Sequence, residues 1–295
     1  MSRHSRGDSD AVRLADIAVR LGMPNAKAHR LEGGTRNRNY RLEHERGPVV
    51  VRLAGSHDAD YSVLREAEWM AQEAAARRAL APRVVATYSG AGVLVSEYVA
   101  GQPWSRGYAR SVQAATRIGA WLARLHAVPV PEALPVIDFA ESLAHYFGRL
   151  PPGRMSAGLV ERARRITARA TEFAAAALCH NDLHHLNLIE GPAGIVAVDW
   201  EYAGRGAPIM DLAGYAAYHD LDTGAASALL AGYDGAGEIG RSAALADARW
   251  LFESVWLAWL ELKHELDGSE ADADREERLR LGRRLLAGLA PHSIG

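Results

Sequence analysis

The chain has 295 residues, of which 48% are hydrophobic, so it can bury a large core arranged as one or two domains. Its formal net charge of −2 gives no reason to expect a nucleic-acid or membrane-surface partner, and a single cysteine excludes an intramolecular disulfide. The first ten residues are polar and no apolar run approaches the roughly 20 residues of a membrane span, so we expect a cytoplasmic protein.

The first part of the chain is predicted to mix helices and strands. Apolar spacing over 11–21 predicts a helix, and a second helix is predicted over 61–80. Strands are predicted over 48–53, 82–88 and 93–97, separated by turn residues. A Gly-Gly pair between the first helix and the first of these strands lets backbone amides approach a ligand, although such a pair by itself is typical of a plain hairpin turn.

From residue 98 the pattern becomes helical. Helices are predicted over 108–126, 139–150, 158–177 and 245–266, with another beginning at 206–213. Strand character is lost after Glu97, which places a boundary there. We therefore predict one domain over 1–97 and a second over 98–295.

One stretch of the second domain combines two carboxylates with an amide. Asp182 precedes a short strand predicted at Leu186–Ile189. Asn187 lies in that strand, five residues after Asp182, and Asp199 directly follows the apolar run Gly194–Val198. A hairpin of this kind can bring the three side chains to one edge. Phosphoryl transfer needs one carboxylate to orient and deprotonate a hydroxyl, and an amide oxygen with a second carboxylate to hold Mg²⁺. A single aspartate would indicate only an acidic surface turn, whereas all three at this spacing favour catalysis.

The pattern His180-x-Asp182-x-x-x-x-Asn187 followed by Asp199 resembles the catalytic and metal-binding loops of protein-kinase-like small-molecule kinases. Trp200-Glu201 stands where protein kinases have Phe-Gly, which is similar to the branch of aminoglycoside phosphotransferases and choline/ethanolamine kinases, the choline-kinase side most of all. Over roughly 30–265, the resemblance implies an α+β, two-lobed protein-kinase-like fold. It has a small antiparallel-sheet lobe and a larger, mainly helical lobe, and uses ATP and Mg²⁺.

The resemblance also implies an ATP site, formed by Gly33, Gly34, Thr35, Asn37, Arg52, Glu68 and Glu97. Lysine occurs only at positions 27 and 263, so Arg52 takes the phosphate-binding place that a lysine holds in protein kinases. An ordinary strand arginine with its head in solvent is the alternative. Glu68 is the preferred partner for Arg52, and Glu66 is nearly as plausible. The backbone near Glu97 is expected to meet the adenine edge.

The substrate residues implied by the resemblance are Glu201, Tyr202, Asp211, Trp256 and Trp259. Trp256 and Trp259 lie three apart on one side of a helix, a spacing that usually indicates core, but choline kinases use a Trp-x-x-Trp pair in an aromatic box for a quaternary ammonium. Glu201 would bind a second metal or the substrate cation. Asp211 would support the catalytic loop or face the substrate, and a simple helix-capping role also explains it. Tyr215 and Tyr218 are further candidates to complete the cage.

The implied reaction is transfer of the γ-phosphate of ATP to the hydroxyl of choline or ethanolamine, so the expected partner is a small-molecule amino alcohol. Asp182 would be the base, with Asn187 and Asp199 holding Mg²⁺. Thiamine and aminoglycoside phosphotransferases share these loops, although an aminoglycoside site needs several carboxylates where a choline site needs aromatic rings. A nucleotide- or choline-binding module without turnover is the non-enzyme alternative, and the intact triad argues against it. The choice between monomer and homodimer, and the role of the helix after 270, stay open.

Overall fold

The structure is a computed structural model, and it describes residues 3–31, 37–55, 61, 63–168, 173–191, 194–234, 239–268 and 271–287. The nucleotide-loop residues Gly33, Gly34 and Thr35 lie outside these ranges, so the prediction made for them is not addressed. Among the described residues, no helix combines the length and the apolar character that crossing a bilayer requires.

The amino-terminal part is built on a five-stranded antiparallel sheet with the strand order β1-β2-β3-β5-β4. The strands are β1 Lys27–Leu31, β2 Arg38–Glu43, β3 Val49–Leu53, β4 Val84–Tyr88 and β5 Val93–Glu97. Alternate residues of β3 (Val49, Val51 and Leu53) are buried on one face, where helix α1 (Arg3–Arg20) covers them. The sheet and α1 thus form a small hydrophobic core of their own.

Arg52 lies between two of those buried residues, so its side chain projects from the opposite face of the sheet. Helix α2 (Arg65–Ala76) lies on that side and supplies Glu68 as the partner of Arg52. The apolar side of α2, with Ala67 and Ala71, packs into the larger core formed by the rest of the chain. Helix α2 therefore connects the sheet with the helical region.

The remainder of the chain is mainly helical. Its helices are α3 Arg106–Ala109, α4 Val112–His126, α5 Phe139–Arg149, α6 Ala157–Thr167, α7 Pro208–Tyr218, α8 Thr223–Asp234, α9 Ile239–Asp267 and α10 Asp272–Ala287. Among its described residues there are also five short strands, namely β6 Gln102–Pro103, β7 Ala177–Cys179, β8 Leu188–Gly191, β9 Gly194–Ala197 and β10 Gly204–Gly206. Strands β6, β8 and β9 form one small sheet, and β7 pairs with β10. The predicted fold class is confirmed, whereas the boundary at residue 97 stays a prediction.

Element boundaries depart from the predictions where tertiary contacts or caps intervene. The helix predicted over 108–126 is divided, because the Ser111 hydroxyl accepts the Ala114 N–H and starts a new helix, α4. The helix predicted over 158–177 ends at Thr167, and Ala177 instead begins β7, which pairs with β10. The strand predicted at Leu186–Ile189 begins at residue 188, after a single 3₁₀ turn.

Helices α4 and α8 approach until their backbones touch at two glycines. A Cβ atom on Gly119 would lie 2.2 Å from the Leu229 carbonyl oxygen, and one on Gly232 would lie 2.2 Å from the Thr116 carbonyl oxygen. Neither backbone can move without displacing a helix. The α4–α8 seam, defined by these two glycines, matters for the site because α4 ends at His126, which lies 3.1 Å from Asp211.

Replacing Gly119 by alanine should therefore lower the free energy of unfolding, by about 2 kcal/mol, because the added methyl group overpacks the α4–α8 seam. Gly282 on α10 is the matched control, since nothing lies within 4 Å of the Cβ it would gain. Gly282→Ala should raise stability by up to about 1 kcal/mol through helix propensity. Denaturant unfolding of both variants measures this, and equal effects of the two substitutions would contradict the tight seam.

Candidate active site

The loop over 180–187, which we call the catalytic loop after its predicted role, precedes the β8–β9 hairpin and is joined to it by hydrogen bonds. The Asn187 amide nitrogen donates to the Asp182 carbonyl at 2.9 Å and to the Asp182 Oδ2 at 3.2 Å. The backbone N–H of Val198 donates to the Asn187 carbonyl at 2.9 Å, which brings Asp199 to the same edge. The three side chains that the sequence singled out are therefore neighbours. No hydrogen bond from the described residues reaches the Asn187 amide oxygen, which leaves it able to bind a cation.

Asp199 faces Arg52 across the cleft between the sheet and the helical region. Arg52 Nη1 lies 3.1 Å from Asp199 Oδ1, and the same nitrogen pairs with Glu68. Glu68 is buried whereas Glu66 is exposed, so the structure resolves the choice between them in favour of Glu68. Arg52 is itself buried, which excludes the alternative of an arginine head in solvent. A cation at this point can offset the charge of phosphate groups.

A second arginine joins the same cluster of charges. Arg65 Nη1 lies 3.3 Å from Glu68 Oε2 and 3.4 Å from Glu201 Oε2, while its Nη2 donates to the Asn37 amide oxygen at 3.2 Å. The Asn37 amide nitrogen donates to Glu201 Oε2 at 2.8 Å. Asn37 and Glu201 therefore fasten the start of β2 to the helical region. The paired charge of Glu201 weakens its case as a partner for a substrate cation.

Arg65 was not predicted from the sequence to belong to this cluster of charges. A signal for it existed, because Arg65 lies three residues before Glu68, the spacing at which side chains of a helix are neighbours. Because Glu68 was the predicted partner of Arg52, its helical neighbour Arg65 was a candidate for the same cluster of charges.

Negative charge exceeds positive charge in this cleft. Burial and the neighbouring Glu201 carboxylate together raise the pKa of Asp199 to about 8, against the opposing effect of the Arg52 guanidinium. Its side chain is nonetheless 28% exposed, so a ligand from solvent can reach it. The Asn187 amide oxygen and the Asp199 carboxylate are hard oxygen donors of the kind that Mg²⁺ prefers. These residues fit a divalent cation, which would relieve the charge that raises the pKa of Asp199.

The catalytic loop is held from behind by Asp211 of α7. Its Oδ1 accepts the N–H of Asn181 at 2.7 Å, and its Oδ2 accepts the N–H of His180 at 3.0 Å and a ring nitrogen of His126 at 3.1 Å. The carboxylate is buried, and both its oxygens are engaged inside the protein. Asp211 is therefore not placed to face a substrate. Its contacts match the other predicted role, which is support of the catalytic loop.

His180 also braces the loop. Its Nε2 donates to the Val198 carbonyl at 3.1 Å, and its Nδ1 accepts the N–H of Asp182 at 3.3 Å. Burial lowers the pKa of His180, so the ring stays neutral and keeps this arrangement of donor and acceptor. Both ring nitrogens are occupied, as expected for a residue that positions the loop without transferring protons.

Aromatic side chains lie beside Asp182. The Tyr218 hydroxyl donates to Asp182 Oδ1 at 2.6 Å, and its ring meets Trp256 edge-to-face with centroids 4.7 Å apart. Trp259 donates its indole N–H to the Tyr202 hydroxyl at 2.9 Å. Trp256, Trp259, Tyr202 and Tyr218 are all partly buried, so none of them is sealed inside the core. We call this group the aromatic wall.

Of two further residues singled out in the sequence, Tyr215 departs from its expectation and Glu97 does not. Tyr215 is fully buried and donates its hydroxyl to the Ala109 carbonyl at 2.7 Å, so it does not join the aromatic wall. The Glu97 side chain is half exposed and pairs with Arg83 at 2.8 Å. Any contact of Glu97 with a nucleotide would thus come from its backbone.

Comparison with known proteins agrees with this geometry. A family model described as the phosphotransferase enzyme family matches residues 27–251. A search of curated proteins found no significant match.

Three solved structures illustrate the likeness in fold. A choline/ethanolamine kinase family protein from Mesorhizobium loti is 22% identical, with a TM-score of 0.77 and coverage of 97% of this chain and 95% of that chain. The choline kinase LicA from Streptococcus pneumoniae is 20% identical, with a TM-score of 0.77 and coverage of 96% and 99%. The macrolide 2′-phosphotransferase MphH from Brachybacterium faecium is 20% identical, with a TM-score of 0.62 and coverage of 92% and 97%. At these identities the likeness establishes the fold alone.

The Arg52–Glu68 pair should be the principal electrostatic support of the cleft. Glu68→Gln should lower the free energy of unfolding by about 3 kcal/mol, because it leaves the buried charge of Arg52 without its main partner. Glu66→Gln, two residues earlier on the same helix and exposed, should change it by less than about 0.5 kcal/mol. Denaturant unfolding of the two variants tests this, and similar losses in both would show that Glu68 has no special role.

Proposed function

Because the chain belongs to the phosphotransferase enzyme family, we propose that it transfers the γ-phosphate of ATP to the hydroxyl of a small amino alcohol, choline or ethanolamine. The observation that carries the proposal is the direct contact between Asp182 and the aromatic wall, through the hydroxyl of Tyr218. An acceptor bound against those rings has its hydroxyl near the carboxylate that must deprotonate it.

The proposed chemistry assigns a distinct role to each charged group. Asp182 orients the acceptor hydroxyl and takes its proton as the oxygen attacks the γ-phosphorus, and the bond from that phosphorus to the departing ADP breaks. Asn187 and Asp199 hold Mg²⁺, which would neutralise charge on the phosphates. Arg52 adds a fixed positive charge on the opposite side of the cleft. Positioning and electrostatics supply most of the catalysis in this reaction, and every one of these side chains is fixed by a contact in the structure.

The proposal for the nucleotide draws on similar proteins. LicA has also been solved in complex with AMP, in a structure 19% identical to this chain with a TM-score of 0.75. Asn37 stands at the end of the expected nucleotide loop and is fixed by Glu201 and Arg65. We extend nucleotide binding to the cleft between the sheet and the helical region, with the backbone near Glu97 facing the adenine.

The proposal for the acceptor rests on the chemistry of the aromatic wall. A quaternary ammonium is weakly hydrated and is attracted to ring faces by about 0.5–2 kcal/mol per contact. Such rings come from two contacting pairs, Tyr218 with Trp256 and Trp259 with Tyr202. A polycationic aminoglycoside would instead need several uncompensated carboxylates, and the nearby Glu201 is already paired with Arg65. Aromatic residues beside the base therefore favour a small cation with one hydroxyl.

The direct test is release of ADP by the purified protein supplied with Mg-ATP and choline, ethanolamine, thiamine or kanamycin. Turnover with choline or ethanolamine above the other two is the expected result. Faster turnover with thiamine or kanamycin would overturn the proposed acceptor but keep the transferase. No turnover with any of them, together with intact nucleotide binding, would favour a binding module.

Asp182→Asn should reduce turnover of the preferred acceptor by at least about a thousandfold, because the general base is lost while the charge-neutral amide keeps the shape of the side chain. Binding of Mg-ATP, measured by calorimetry, should stay within about threefold, since Asn187 and Asp199 remain. Undiminished turnover would remove Asp182 from the mechanism, and equal loss of binding and turnover would indicate a damaged fold.

Trp256→Ala and Trp259→Ala should each raise the acceptor KM by about tenfold and leave the ATP KM within about twofold, because each removes one ring from the cation site. Trp250 is the matched control. It lies on the same helix and is partly buried, but it stacks on Arg162 with 4.2 Å between the guanidinium carbon and the ring centroid. Steady-state kinetics separate the two effects. A similar rise in both KM values, or the same result for Trp250→Ala, would show that the tryptophans act through packing alone.

A further inference from the structure

Each oxygen of the Asp182 carboxylate is held by a different donor. Oδ2 accepts the Asn187 amide N–H at 3.2 Å, and Oδ1 accepts the Tyr218 hydroxyl at the shorter distance of 2.6 Å. Tyr218 is 36 residues away in the chain and comes from the last position of α7. The stronger of the two contacts to the catalytic carboxylate thus comes from outside its own loop.

The ring of Tyr218 is itself fixed by edge-to-face packing on three neighbours. Its centroid lies 5.1 Å from that of Phe252 at an interplanar angle of 80°, 4.7 Å from Trp256 at 68°, and 5.7 Å from His184 at 87°. Phe252 and Trp256 belong to α9, so Tyr218 is pressed between that helix and the catalytic loop. Such contacts hold a ring in one orientation, and the hydroxyl is held with it.

Tyr218 can act only as a hydrogen-bond donor at this position. Burial raises the pKa of the Tyr218 hydroxyl well above its usual value, and the adjacent Asp182 charge raises it further. The phenol therefore keeps its proton and does not compete with Asp182 as a base.

A competing partner for Asp182 lies nearby. His184 Nε2 is 3.9 Å from Asp182 Oδ2, beyond hydrogen-bond range, so a hydrogen bond between them would require the carboxylate to turn by rotation about χ2. With Oδ1 fixed by Tyr218, that rotation is opposed. Without the Tyr218 hydroxyl, only the longer Asn187 contact would resist the rotation.

We propose that Tyr218 is a positioning residue for phosphoryl transfer. Its hydroxyl holds the Asp182 carboxylate with free lone pairs turned to the acceptor hydroxyl, and its ring forms the part of the acceptor site between Asp182 and Trp256. This inference rests on the proposed function, since it assumes that Asp182 is the base. The two parts of Tyr218 should have separable effects. The hydroxyl should affect the rate of the chemical step, and the ring should affect acceptor binding.

Tyr218→Phe removes the hydroxyl and keeps the ring. It should lower kcat about tenfold while the KM for acceptor and for ATP stay within about twofold, because only the orientation of the base is lost. Tyr218→Leu removes both parts, so it should lower kcat equally and also raise the acceptor KM.

Tyr215→Phe is the matched control, because Tyr215 lies on the same helix and also donates a hydroxyl at 2.7 Å, but to the Ala109 carbonyl in the core. It should lower thermal stability and leave kcat within about twofold. Equal losses of kcat in Tyr215→Phe and Tyr218→Phe would show that any buried hydroxyl of α7 matters only for packing, and the proposal would be overturned. So would a wild-type kcat in Tyr218→Phe.

The same series distinguishes this inference from the proposed function. If the wild-type protein phosphorylates choline and ethanolamine, the kinetic comparison tests Tyr218 directly. If it phosphorylates neither, the proposed function fails, and the slow hydrolysis of ATP, in which water replaces the acceptor, is measured in the same variants. That rate should fall about tenfold in Tyr218→Phe alone. An unchanged rate of hydrolysis would overturn the role of Tyr218 independently of the acceptor.

Discussion

The buried carboxylate of Asp211 is the interaction on which the candidate site depends. It accepts the backbone N–H groups of His180 and Asn181, and Asn181 has a positive φ of 64°, which an asparagine adopts at a cost. Two charge-assisted hydrogen bonds offset that cost and fix the direction of the next residue, Asp182. A loop that lacked this acceptor would leave two buried amides unpaired and would lose the conformation that points the base into the cleft.

The charges in front of the loop serve both assembly of the two regions and chemistry. Arg52 and Arg65 project from the sheet side, and Asp199 and Glu201 project from the helical side. These pairs draw the two regions together over the space that the proposed nucleotide needs. The same carboxylate, Asp199, is paired with an arginine here and proposed as a metal ligand. Binding of Mg-ATP would thus replace Arg52 by Mg²⁺ as the counterion of Asp199 and leave Arg52 able to pair with the phosphates.

The sequence was sufficient where the relevant contacts are local. Asp182, Asn187 and Asp199 lie close together in the chain around one hairpin, so their spacing predicted that they meet. Long-range contacts could not be predicted in this way. Tyr218 was considered only as a member of a cage, because nothing in its neighbourhood in the sequence indicates a hydrogen bond to a loop 36 residues earlier. The prediction of a helix through Ala177 was wrong for the same reason, since Ala177 lies in β7, which pairs with the distant strand β10.

The hydrogen bonds behind the catalytic loop have a consequence for how acceptor preference can change over evolution. His126 contacts Asp211 on one side and the Tyr233 hydroxyl, at 2.9 Å, on the other, so the base is anchored through α4 and α8. The proposed acceptor surface takes Trp256 and Trp259 from α9, which takes no part in that anchor. Trp259 contacts Tyr202 and Tyr61, so substitution there would reshape the proposed acceptor surface while keeping the packing on Tyr218. Trp256 is constrained, because it packs on the tyrosine that holds Asp182. New acceptors are thus more accessible through the end of α9 that bears Trp259 than through the end that bears Trp256.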